Sequence, residues 1–96
     1  MVKKLSVNRA LEEISAIERL IRPYEYEAYE ARRALNDLAA LREALSRMDK
    51  ESIRRAAEKI LTLEAEAAPY RSFSFVEEAL KHARRLREEL KKLLES

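Results

Sequence analysis

Apolar residues recur along this chain at the three- and four-residue spacing that places them on one face of a helix. From Ser6, a good N-cap preceded by Leu5, they fall at Val7, Ala10, Leu11, Ile14, Ile17, Leu20 and Ile21. Arg19 and Arg22 occupy what would be the last turn, where cations suit the helix dipole. Pro23 interrupts, and Glu25 and Glu27 follow it with the sign that a helix N-terminus favours. The apolar pattern nevertheless runs on through Tyr24, Ala28, Ala31, Leu35, Leu38 and Leu45 with little phase error. Residues 6–47 therefore read in two ways, as two helices joined by a very short turn or as one long helix kinked at Pro23. The charges favour a break, and the scarcity of loop residues favours a kink.

Ser46-Arg47-Met48-Asp49 is the clearest turn, with Asp49 as N-cap of the next helix and Met48 placed to pack on Ile53 as a hydrophobic staple. Ile53, Ala57, Ile60, Leu63 and Ala67 share a face until Pro69, and residues 69–73 form a second loop. Ser74 and Glu77 have the spacing of a capping box. Val76, Ala79, Leu80, Ala83, Leu86, Leu90 and Leu93 then complete a last amphipathic helix, whose tail over 90–96 stays helical until it frays. No repeat or low-complexity segment appears. The pattern predicts an all-α fold, an antiparallel bundle of three or four helices in one domain spanning residues 1–96.

Oligomeric state hangs on Pro23. An unbroken helix over 6–47 would be about 60 Å long, more than twice the length of the helix after Asp49. The stripe from Val7 to Ile21 would then need a second copy of the chain to cover it. A break at Pro23 instead lets four helices close one core.

Composition narrows the chemistry. The 96 residues contain no cysteine and no glycine. Disulfides, thiolate metal sites and cysteine nucleophiles are excluded, as are phosphate-cradling loops, dinucleotide fingerprints and nucleophile elbows. Charged residues make up 40% of the chain, 20 basic against 18 acidic, and the two signs alternate as in Arg84-Arg85-Leu86-Arg87-Glu88-Glu89. That is a solvated helical surface, not a basic field. No apolar run could span a membrane, and Met1-Val2-Lys3-Lys4 is unlike a signal peptide, so a cytoplasmic or recombinant setting is expected.

His82, the single histidine, borders the last apolar face, with Glu78 one turn before it as a partner. Two such ligands do not make a metal site, and neither a metal nor a cofactor is expected. The glutamate pairs Glu12-Glu13, Glu77-Glu78 and Glu88-Glu89 fall on outward faces. Arg32-Arg33, Arg54-Arg55 and Arg84-Arg85 each have glutamate within about a turn, which argues against nucleic acid as a partner. Arg42, Glu64 and Arg87 intrude at the edges of apolar stripes. They read as snorkelling stems or as buried ion pairs that set helix register. A sharper reading is an anion pocket with Arg42 and Arg87 as clamps and Glu64 as their orienter.

Tyr24, Tyr26 and Tyr29 lie within six residues, and one helix face cannot bury all three. Tyr24 falls on the main stripe, whereas Tyr26 and Tyr29 point away from it beside Arg22 and Arg33. Tyrosine with arginine is the composition of interface hot spots. Arg22, Tyr26, Tyr29 and Arg33 are thus candidates to bind another protein or a second copy of this chain; packing of the tyrosines on a neighbouring helix is the alternative. Tyr70, Phe73 and Phe75 are expected to plug one end of the bundle.

The turn Arg47-Met48-Asp49-Lys50-Glu51-Ser52 and the run Arg87-Glu88-Glu89-Leu90-Lys91-Lys92-Leu93-Leu94-Glu95 resemble those of de novo designed helical bundles and mini-binders. Missing glycine at the helix C-termini departs from that class. The excess of arginine over lysine is also similar to small hyperthermophile proteins, which would imply a homo-oligomer. At fold level the chain resembles the all-helical chorismate mutases, dimeric enzymes whose site needs several cations along the helices. Arg9, Arg32, Arg42 and Arg55 are the counterparts here, off the family spacing and without any glutamine. The expected function is that of a non-enzymatic scaffold or protein-binding module; the alternatives are a chorismate-mutase-like or anion-binding bundle and a hyperthermophile homo-oligomer.

Overall fold

A computed structural model describes residues 2–95, with side chains from residue 4 onward. The described chain is all-helical. It comprises α1 (Val2–Ile21), α2 (Tyr29–Arg47), α3 (Lys50–Ala67) and α4 (Ser74–Glu95), with 3-10 turns at Arg22–Tyr24 and Ala68–Tyr70. Met1 and Ser96, the outermost residues of the terminal expectations, lie outside the described residues.

Between the two readings of residues 6–47, α1 ends at Ile21 and α2 begins at Tyr29. Pro23 lacks an N–H to continue α1, and it sits instead in the first turn of the 3-10 segment. Ile14, Ile17 and Ile21 are all buried within the chain, so the α1 stripe that would have required a second copy is covered. Ser6 is not a cap. α1 starts upstream at Val2, and Ser6 lies inside it, only 3% exposed. Nothing in Val2 to Leu5 breaks a helix, so the helix starts before the serine can cap it.

The α2–α3 turn follows its predicted chemistry at Asp49, whose Oδ1 accepts from the N–H of Glu51 at 3.2 Å and of Ser52 at 3.4 Å. Met48 closes α2 with φ 53° and ψ 36°. The N–H of Met48 bonds to Leu45 O and that of Asp49 to Ala44 O, the paired bonds of a Schellman motif. Ser74 does not form the expected capping box. It is the first residue of α4, and Val76 and Glu77 donate their N–H groups to Phe73 O instead.

Each helix touches two others: α1 packs on α2 and α4, and α3 packs on α2 and α4. Ile14, Leu38, Leu41, Leu45, Ile53, Leu86 and Leu90 fill the centre and are fully buried. Toward the two 3-10 turns no comparably large side chain is fully buried; Val76, Ala79 and Leu80, expected in the core, are only half-buried there.

Candidate functional site

Four side-chain links join neighbouring helices in a closed cycle. Arg42 on α2 donates to Glu18 on α1 at 2.7 and 2.8 Å and to Ser15 Oγ at 3.1 Å. Arg33 on α2 pairs with Glu66 on α3. Arg87 on α4 pairs with Glu64 on α3 through Nε and, at 3.1 Å, through Nη2. His82 Nδ1 on α4 lies 2.8 Å from Glu13 Oε2 on α1. Each link joins two helices that already pack on one another. The Glu18 hydrogen bonds push the Arg42 guanidinium above its usual range, and the Glu66 hydrogen bond does the same for Arg33.

These pairings redistribute the residues singled out from sequence. Glu64 and Arg87 meet, as an ion pair between α3 and α4. Arg42 turns to α1, so nothing brings it to that pair, and the arrangement of two clamps with one orienter does not form. His82 meets Glu13 in place of Glu78, because α1 lies directly over that face of α4. Among the described residues no three histidine, aspartate or glutamate side chains gather as metal ligands, and no helix is long and apolar enough to cross a membrane.

The tyrosine region is more open. Tyr26 is 85% exposed and Tyr29 67%, which leaves both free of the intrachain packing that was their alternative. Arg22 is exposed and lies 3.9 Å from Glu25, and Arg33 is held by Glu66. Tyr24 turns inward and stacks on Phe75, centroids 4.1 Å apart and planes 13° from parallel. Phe73 tilts against Phe75 at 6.1 Å. This stack joins the α1–α2 connection to the start of α4. Tyr70 and Phe73 do not plug the end of the bundle, since more than half the surface of each faces solvent. Four exposed aromatic residues, Tyr26, Tyr29, Tyr70 and Phe73, therefore lie in or next to the two long connections.

Beneath them lies a cavity of about 330 Å³ that both connections border. The sequence carries its signal, although periodicity alone conceals it. Ala28, Ala31, Ala34, Ala67, Ala79 and Ala83 hold positions where a close-packed core needs larger side chains. A stripe of alanines scores as apolar on a helical wheel yet fills little volume.

No protein-family model matches the chain, and neither a curated protein nor a solved structure shows significant similarity to it.

Proposed function

We propose that the chain is a non-catalytic binding bundle that engages another protein through Tyr26 and Tyr29, flanked by Arg22 and Arg33 and extended by Tyr70 and Phe73. The exposure of Tyr26 and Tyr29 carries this reading. Aromatic anchors with adjacent guanidinium groups bury large area at little cost in side-chain entropy. The scaffold beneath is read as an antiparallel up-and-down bundle of the designed type. Two observations support that order: both long connections border one cavity, and the four polar links run between successive helices and close from α4 back to α1. The non-catalytic part is supported by the engagement of Arg42 and Arg87 with carboxylates of the chain itself.

A displayed library of random peptides tests this reading, with selected binders measured against the wild type and a Tyr26→Ser, Tyr29→Ser double variant. The variant should keep the wild-type unfolding midpoint and lose the selected peptides. Unchanged peptide binding, or a much lower midpoint, would show that these tyrosines are not a binding surface.

A further inference from the structure

Neither Tyr26 nor Tyr29 lines the cavity, although Tyr70 and Phe73, the extension of the proposed binding surface, do. Its volume of about 330 Å³ is roughly twice that of a ~150 Å³ apolar cavity that takes up benzene, and it falls at the lower end of the range for small-molecule pockets. Ala31 on α2 and Ala79 on α4 contribute to its lining, and the mutually stacked rings of Tyr24 and Phe75 border it. Tyr70 and Phe73 also border it, each partly in solvent.

Its ionisable lining has one sign. Glu30, Glu64 and Glu66 border the cavity, and no lysine, arginine or histidine does. Glu64 and Glu66 are neutralised by Arg87 and Arg33. Glu30, exposed in the first turn of α2, has no ion-pair partner among the described residues. Aromatic faces are themselves negative and attract cations. An anion entering here would lose hydration and meet a mostly apolar lining in which the one unpaired charge, Glu30, is negative.

The geometry points to a binding site for a flat aromatic cation of two or three fused rings, held among Tyr24, Phe75 and the lining alanines with its positive charge toward Glu30. The aromatic lining supplies contact area, the alanines supply room, and Glu30 selects the charge. It shares Tyr70 and Phe73 with the proposed protein surface but not Tyr26 or Tyr29, so a variant at those two tyrosines separates the sites.

The probe is proflavine, a fluorescent three-ring cation, titrated against the intact chain, with anilinonaphthalene sulfonate as the anionic comparison. Proflavine should bind saturably, one per chain, and more tightly than the sulfonate. Ala79→Leu, which fills the cavity from α4, should weaken it by roughly tenfold or more, the scale of 1.4 kcal/mol. Ala31→Leu fills the same space from α2 and serves if the first variant does not give a helical spectrum. Glu30→Gln should weaken binding by about threefold, the scale of an exposed cation–π or charge contact. The Tyr26→Ser, Tyr29→Ser variant should bind as the wild type does. Absent or unsaturable proflavine binding, unchanged binding in both folded leucine variants, or equal affinity for the sulfonate would each overturn the assignment.

Discussion

Arg42 and Glu18 meet fork to fork, Nη1 2.8 Å from Oε2 and Nη2 2.7 Å from Oε1, with Ser15 Oγ as a third partner. The pair spans α1 and α2, which pack less extensively than any other neighbouring helices. α1 and α2 are consecutive in the chain, joined by a connection that runs from Arg22 to Ala28. A bidentate bridge therefore lies where apolar contact is thinnest.

Replacing Arg42 by alanine should cost about 1 kcal/mol, because the Glu18 carboxylate is mostly buried while the guanidinium is partly screened by solvent. Arg42→Lys should recover less than half of that, since a point charge cannot make both bonds. Urea unfolding of the two variants measures the difference. Equal stability of lysine and arginine would show that charge, not the fork, joins the helices.

Met48 is the one described non-glycine residue with positive φ. The left-handed conformation is strained for a side chain with a β-carbon, by about 1–2 kcal/mol, and the Schellman bonds to Ala44 and Leu45 hold it there. Met48→Gly should raise stability by about 1 kcal/mol, less whatever contact the half-exposed methionine makes. The check is the urea midpoint, and a lower midpoint would mean that the Met48 side chain contributes more by packing than its backbone loses by strain.

Elements with a strong period were legible from the chain alone, and so was one of the three expected caps, whereas Ser6 and Ser74 do not cap. The Asp49 cap, the end of α3 before Pro69 and the face from Ala83 to Leu93 follow from local chemistry. Pro23 left two outcomes open, because a proline states where a helix is hard to continue but not whether tertiary contacts compensate. The start of α1 was misread because nothing from Val2 to Leu5 stops the helix from beginning upstream, which leaves Ser6 buried inside it. Partners across helices, such as Glu13 for His82 and Glu18 for Arg42, depend on which helix lies over which face. The cavity was missed for a volumetric reason: the apolar pattern records where alanine stands but not how little space it fills.

The Asp49 cap gives a pH dependence. The Ser52 hydroxyl, bonded to Oδ2 at 2.8 Å, and the Ser52 N–H hold the Asp49 carboxyl below the usual carboxylate range. A group whose folded pKa is depressed stabilises above its unfolded value, about pH 4, and that contribution fades as pH falls through the folded value. Asp49→Asn keeps a capping oxygen that does not titrate. The wild type should be the more stable of the two at pH 7, and the gap should shrink from about pH 4 downward. Thermal unfolding of both proteins between these conditions tests it; a gap that stays constant would remove the carboxylate's charge from the account.

Leu86 and Leu80 give a paired test of the packing gradient along α4. Both sit inside the same helix, so truncation to alanine changes helix propensity equally at each. Leu86 is fully buried in the central core, whereas Leu80 borders the cavity and already lacks neighbours on one side. Leu86→Ala should cost about 3 kcal/mol, the sum of lost transfer energy and a new void. Leu80→Ala should cost about 1 kcal/mol, because it enlarges a space that exists and removes fewer contacts. Urea unfolding with a common slope gives both numbers. Equal costs would mean that the chain closes around Leu80 in solution, which would leave no room for a ligand between Tyr24, Phe75 and the alanines.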